Sequence, residues 1–361
     1  MNLGIQGLRG LAITAVFIFH FGSSSAKELG VGSHYIIEFA SFGKYGVQLF
    51  FMISGYIIFH NISKTPTQIG FLVRRVKRIY PAVVVLVPLI WLFNNLILNL
   101  VTHEKPEMSF SSLAFSVLLL NPAAINSVFG TDFVWVTGVL WTLPVELVFY
   151  GLVAALMRLS IQKVLYSLFW LLVIGSAVHL SMPNFVEASP AIAFKIEQVT
   201  WQYFIFYLPW FLIGATIWLL SNSTLRGHAF KLNVVVLTFS FLFIQYFALQ
   251  DAEKSSSVIL RVITPLIPIF LVVLFTLGAR KKTLPTTPLH SAFMTNLGSI
   301  SFEFYLIHEF LGNTIIVLLT RALGENEVSG MFWIFSIACI WFLTIGASRF
   351  IKTRVSDKFR A

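Results

Sequence analysis

Two ionisable residues, Arg9 and His20, stand inside the first apolar stretch of this chain, Leu3–Phe21. Ionisable side chains in so apolar a run are costly and normally face a protein interior or a wet cavity. On an α-helix, eleven steps of about 100° return to within roughly 20° of the same face, and the axial separation is about 16 Å. One face of the helix therefore carries a fixed cation near one end and an imidazole past the middle. Such a pair suits a site that takes a charged molecule from one side and does proton chemistry deeper in.

Further residues could share that site. The run Arg74-Arg-Val-Lys-Arg-Ile-Tyr-Pro81 places four cations within five positions at the start of the third apolar segment. Arg75 and Arg78 are three apart and share a helix face. Guanidinium forks hold phosphate oxygens bidentately; the plainer reading is topogenic charge. In Gly46-Val-Gln-Leu-Phe-Phe-Met-Ile-Ser-Gly-Tyr56, Ser54 and Gly55 either line a site or let a second helix approach closely. Trp141-Thr-Leu-Pro-Val-Glu-Leu-Val-Phe-Tyr150 carries Glu146 about a turn and a half into its segment, with Pro144 near the helix start, where its missing N–H does least harm. A carboxylate there needs a partner or a proton. Forming a structural ion pair, orienting a histidine and recognising substrate are all open to it.

Glu303 and His308 fall together in Leu297-Gly-Ser-Ile-Ser-Phe-Glu-Phe-Tyr-Leu-Ile-His308. Five positions, about 140° of arc, separate them, so they do not share a face. The ordinary reading of His308 is a packed, hydrogen-bonded core histidine, and the residue types assign no role to Glu303. Paired histidines at metal-ligand spacing and phosphate-cradling glycine loops are missing, so no metal is expected. With one cysteine, Cys339, neither a disulfide framework nor a cysteine metal site is possible within the chain.

The elements that must position these groups are membrane-spanning helices. Of 361 residues, 57% are hydrophobic and 11% charged, and the mean hydropathy is +0.84. Soluble proteins carry about 25% charged residues, so the solvent of this chain is the lipid bilayer. The net charge of +10 does not indicate nucleic-acid binding, because the basic residues fall in short loops between apolar segments. Ten spans are expected, at Leu3–Phe21, Gly43–Asn61, Ile79–Leu100, Phe133–Met157, Val164–Ser181, Trp201–Leu220, Leu232–Leu249, Ser257–Gly278, Phe293–Thr320 and Met331–Phe350. Ser109–Phe129, interrupted by Asn121 and Pro122, is expected to be re-entrant or to lie along the surface.

With both termini in the cytoplasm, the inner loops and tail hold most of the 25 basic residues, including Lys64, Arg74–Arg78, Arg158, Lys163, Arg226, Lys231, Arg280–Lys282 and the tail 352–361, against one acid, Asp357. The outer side holds most of the acids, among them Glu28, Glu104, Glu107, Glu187, Glu197, Asp251, Glu253, Glu325 and Glu327. That asymmetry is what the positive-inside rule requires. The sequence thus predicts an all-α, polytopic protein of about ten transmembrane helices. It reads as one membrane domain, 1–361, with a short basic cytoplasmic tail. Arg9 interrupts the first apolar run where a signal peptide would keep its charge ahead of it, so a retained first helix is expected.

Taken in order, these segments resemble the acyltransferase family 3 membrane proteins. That family has an arginine and a histidine with ten residues between them in its first helix, matched by Arg9 and His20. Its Phe-Phe-x-x-Ser-Gly stretch is similar to Phe50–Gly55, and its Arg-x-x-Arg-Ile-x-Pro run to Arg75–Pro81. Its Trp-Ser-Leu-x-x-Glu-x-x-Phe-Tyr motif resembles Trp141–Tyr150, with Thr142 replacing serine. Its Ser-Tyr-x-x-Tyr-x-x-His motif resembles Ser301–His308, with Phe302 replacing tyrosine. Glu303 departs from the pattern.

The resemblance implies transfer of an acyl group, usually acetyl, from cytoplasmic acyl-coenzyme A to a hydroxyl of a surface or lipid-linked glycan, in the inner membrane of a bacterium. Some family members carry an added extracytoplasmic SGNH-type hydrolase domain; the form expected here is the stand-alone one. Residue chemistry and resemblance together assign Arg9, Arg75 and Arg78 to the phosphates of acetyl-CoA. His20 is either the general base on the acceptor hydroxyl or a transient acyl carrier, and Glu146 counters the developing charge. Ser54, Trp141, Tyr150, Glu303 and His308 are assigned to the lining. The competing class is a transporter or channel for a small anion, with Arg9, His20, Glu146 and Glu303 as a relay.

Overall fold

The computed structural model describes residues 3–65, 67–98, 108–188, 204–222, 227–254, 257–279, 288–323 and 330–360. Several acidic segments read as outer loops (99–107, 189–203 and 324–329) lie outside the described residues, as do the basic segments 223–226 and 280–287.

Every regular element among the described residues is helical. The main ones are α1 (Leu3–Ile18), α2 (His34–Ser41), α3 (Gly46–Ile62), α4 (Gln68–Phe93), α5 (Phe110–Leu118), α6 (Pro122–Phe129), α7 (Thr142–Leu156), α8 (Ile161–Ala188), α9 (Leu208–Asn222), α10 (Gly227–Lys254), α11 (Val258–Ile263), α12 (Leu266–Ala279), α13 (Ala292–Leu323) and α14 (Gly330–Ile351). Among the described residues, eight helical stretches are long and apolar enough to cross a membrane, and two shorter apolar helices, α9 and α12, coincide with two further expected spans. The chain is an all-α, multi-pass membrane protein.

Helix α1 runs through the centre of the bundle, packed along α13 on one side and α3 on the other, and α9 packs behind α3. Small residues make those crossings close. A Cβ on Gly7 or Gly10 would strike the backbone at Leu289 or Met294, and one on Gly298 would strike Gln6. At the α3–α9 crossing, Gly55 meets the carbonyl of Phe211 and Gly214 that of Met52. In a bilayer, helices associate through such packing, because lipid tails are as apolar as leucine. Gly55 is therefore a packing residue, and its neighbour Ser54 is left to face inward.

Two boundaries differ from expectation, each for a local reason. Helix α4 begins at Gln68, well before Ile79, because the Thr67 side chain caps it by accepting from the Gly70 N–H at 3.2 Å and because Arg and Lys are good helix formers. The basic run Arg74–Arg78 is thus a helical wall and not a loop. Residues 133–137 are not helical. Val134 and Val136 instead donate their N–H groups to the Ser112 and Ser116 hydroxyls of α5, at 3.3 and 3.1 Å, and a short 3₁₀ turn, Gly138–Trp141, leads into α7. The segment Ser109–Phe129 folds as two short helices, α5 and α6, parted at Leu119, which adopts a left-handed φ of 56°.

Candidate active site

Helix α1 widens into a π-helical turn over Phe19–Ser24, and His20 sits in it. A π turn inserts an extra residue per turn and so re-aims a side chain, a device common at functional sites. The turn is held by Ser25, whose hydroxyl donates to the His20 carbonyl at 3.0 Å. The His20 ring lies edge-on to the ring of His308 with centroids 5.0 Å apart. His308 is fully buried, and its Nδ1 lies 2.8 Å from the Tyr305 carbonyl. A carbonyl only accepts, so Nδ1 carries the proton and Nε2 is an acceptor, with no hydrogen-bond partner among the described residues.

His20 lines a cavity of about 380 Å³ with Lys44, Trp141, Tyr207, Tyr305 and Glu309. Glu309 is the carboxylate of this chamber, and sequence reasoning passed over it. Its Oε2 accepts from the Thr137 hydroxyl at 2.8 Å and from the Val139 N–H at 3.0 Å. Gly138 allows that approach, since a Cβ there would meet the Glu309 oxygens. The non-helical 133–137 segment is what frees the Val139 N–H to serve as donor. A signal was present, in that Glu309 follows His308 directly inside the same apolar segment, but periodicity alone does not say which faces meet.

Below that chamber is a constriction of about 50 Å³, lined by Arg9, Ser54, Arg78, Glu146 and Tyr305 among others. Glu146 accepts from the Ser54 hydroxyl at 2.7 Å and from the Tyr150 hydroxyl. It stands with Arg78, whereas the carboxylate beside His20 is Glu309. Tyr150 is buried behind Glu146, and the Arg75 guanidinium lies over the rings of Phe71 and Tyr150, at 5.3 and 5.7 Å from their centroids. Tyr305 separates the constriction from the His20 chamber, and its hydroxyl is held by Thr142 Oγ1 at 3.1 Å. The hydroxyl, which serine and threonine share, is the part of residue 142 that makes this contact.

The constriction opens at Arg9, Arg78 and Phe302 into a cavity of about 760 Å³. Among the described residues, six Lys and Arg side chains line it, from Arg9, Arg74, Arg75, Lys77, Arg78 and Lys352, together with the carboxylate of Glu303. Lys352 belongs to the segment read from sequence as a basic tail. Glu303 is buried and lies within electrostatic reach of Arg78, as does Glu146. The two carboxylates offset part of the clustered positive charge at that guanidinium.

The three cavities adjoin one another. The basic chamber and the constriction share Arg9, Arg78 and Phe302, and the constriction and the His20 chamber share Val47 and Tyr305. Arg9 and His20 thus line cavities that adjoin one another inside the bundle. Arg9, Arg75 and Arg78 come together in the basic chamber, Ser54 and Glu146 in the constriction, and Trp141 beside His20.

The description of the family whose model matches residues 2–348 is an acyltransferase domain. That match spans nearly the whole chain, so the protein belongs to acyltransferase family 3 and is a membrane acyltransferase. It is similar to an O-acetyl transferase of Shigella phage Sf6, with 27% identity over 241 residues, covering 65% of this chain and 67% of that protein. No solved structure matches it.

Proposed function

We propose that this acyltransferase family 3 member moves an acetyl group from cytoplasmic acetyl-CoA to a hydroxyl of a cell-surface or lipid-linked glycan. Its membrane is the cytoplasmic membrane of a bacterium, with the basic chamber on the cytoplasmic side. The observation that carries the reading is the series of adjoining cavities that runs from six clustered cations to His20. Phosphates are the ligands such a cluster suits, because charge-assisted bonds from Arg are about twice as strong as neutral ones. Coenzyme A is a phosphate-rich head on a long thin arm. A wide basic chamber, a narrow neck and a chamber with a base at its end follow the same order.

In this mechanism Arg9, Arg78 and Lys352 hold the phosphates, Arg75 stiffens the wall, and the pantetheine arm passes Ser54 and Tyr305. The thioester carbonyl stops beside His20. His20 takes the proton of the acceptor hydroxyl as its oxygen attacks the carbonyl carbon. The C–S bond breaks, coenzyme A leaves as the thiolate, and the His20 proton passes to that sulfur. An acetyl ester and free coenzyme A result, with His20 returned to its starting form. Glu309 faces the imidazolium during the step, and His308 holds the ring from behind. The support for direct transfer is that His20 and a second, differently lined space meet at Glu309.

The test is purified protein in vesicles with labelled acetyl-CoA and a candidate glycan. Acetyl ester formation matched by release of coenzyme A supports the proposal. Solute movement without acetyl-CoA consumption supports the relay-transporter reading and rejects this one.

A further inference from the structure

Glu309 and Gly138 also line a cavity of about 280 Å³ on the far side of the His20 chamber, with Asn94, Thr137, Asn313 and Thr314. Through Ile90 and Phe310 this polar space adjoins a groove of about 400 Å³ that is lined entirely by apolar side chains. One wall of the groove is the stripe Leu86, Leu89, Leu92, Phe93 and Leu96, at helical spacing along α4 and its continuation. The other is Ile307, Phe310 and Leu311 of α13 with Ala347 of α14. Leu89 is 56% exposed and Leu92 46% exposed, so the groove opens to the lipid side.

Resting on the acyltransfer reading above, we infer that this groove and its polar end are the acceptor's route, and that the acceptor is a glycolipid. Its chain lies between α4 and α13 while its sugar head stands among Asn94, Asn313 and Thr314, a hydroxyl directed past Glu309 to His20. Three observations select that occupant. A bilayer fills an open apolar groove with hydrocarbon, so a chain is required there. The adjoining space carries the amide and hydroxyl side chains of Asn94, Thr137, Asn313 and Thr314, which are the donors and acceptors a sugar uses. The groove and this space share Ile90 and Phe310, and the space and the His20 chamber share Gly138 and Glu309, so the three lie in the order that a molecule with both an apolar and a hydroxyl-rich part requires. Donor and acceptor then reach His20 from opposite sides, and neither has to leave before the other arrives.

The test uses the full chain in vesicles of phosphatidylethanolamine and phosphatidylglycerol, with a disaccharide on an alkyl chain bearing a diazirine as the probe. After irradiation, labelled peptides are mapped by mass spectrometry. The expected label falls on the Leu86–Leu96 stripe and on Phe310–Leu311. It is competed by unlabelled glycolipid, but not by the free disaccharide or by added phosphatidylglycerol. Filling the groove with Ala347→Phe should lower that labelling at least fivefold with acetyl-CoA binding unchanged. Label spread evenly over lipid-facing helices, or competed equally by phosphatidylglycerol, would mean a crevice for bulk lipid and overturn the inference. Full competition by the free disaccharide would overturn it in favour of a soluble acceptor. Acetyl-CoA binding, titrated separately, reads the donor side. Its absence in the unmodified protein would reject the acyltransfer reading while leaving the labelling result to stand by itself.

Discussion

The rings of His20 and His308 meet edge to face at 5.0 Å, although they lie on different helices and nearly the whole chain separates them. His308 is tied to the Tyr305 carbonyl through Nδ1, so its orientation is set by α13 and passed on to His20. In the proposed mechanism His20 does the proton chemistry and His308 holds it in place. His20→Ala should lower acetyl transfer by about 10²–10⁴-fold, the usual contribution of a positioned base, with unchanged membrane insertion. Full acetylation by an inserted His20→Ala protein would exclude His20 from the mechanism.

His308 is separable from a plain core residue by two substitutions. His308→Asn keeps an N–H at the Nδ1 position and the bond to Tyr305, but it has no Nε2. The expected result is a melting temperature near that of the unmodified protein, with kcat down at least tenfold and KM for acetyl-CoA unchanged. His308→Ala should lose both stability and kcat. If His308→Asn keeps full kcat, the ring serves packing only.

Glu309→Gln leaves one oxygen to accept from Thr137 and Val139 but removes the charge that faces the His20 imidazolium. We expect kcat to fall by about 10–100-fold, since a charge-assisted bond contributes about 1.5–3 kcal/mol and each 1.4 kcal/mol is a factor of ten. Glu146→Gln acts elsewhere, beside Ser54 and Arg78. Its effect should appear mainly in KM for acetyl-CoA. Initial-rate kinetics on the two variants check the division, and a reversed pattern would return Glu146 to the proton-transfer step.

Lys352→Ala and Arg78→Ala should each raise the Kd for acetyl-CoA, with affinity that falls as salt rises, because the contacts are between charges. Dephospho-coenzyme A derivatives should discriminate less between these variants and the unmodified protein. Lys352→Ala is the sharper case, as it lies at the rim and leaves the buried Arg75–Tyr150 stack intact. Equilibrium binding at two ionic strengths is the measurement, and an unaltered Kd for Lys352→Ala would remove it from the donor site.

Thr142→Ser should be nearly silent, whereas Thr142→Val should destabilise by about 1–3 kcal/mol, because it leaves the Tyr305 hydroxyl buried without its partner. Thermal unfolding in detergent distinguishes the two. Equal stabilities would show that the bond is not maintained in the membrane protein.

Much of this molecule is legible along the chain. Hydropathy and charge are local properties, and in a bilayer every backbone polar group must be satisfied within its own helix. Ten apolar segments therefore announce an all-α membrane protein before any packing is known, and the helical period alone puts Arg9 and His20 on one face. The cationic run Arg74–Arg78 likewise declares itself, although the Thr67 cap carries its helix further back than apolarity suggests.

Pairings between helices are of another kind. That Glu309 and not Glu146 shares the chamber of His20 follows from how closely α1 lies on α13, and that closeness is set by the backbone contacts at Gly10 and Gly298. The π turn at His20, the non-helical stretch that frees the Val139 N–H and the recruitment of Lys352 to the basic chamber arise in the same way. Residue types and spacing along one helix state which chemistry is available, because they depend on neighbours a few positions away. Which group stands against which depends on rigid helices brought together from distant parts of the chain, and no local rule contains that distance.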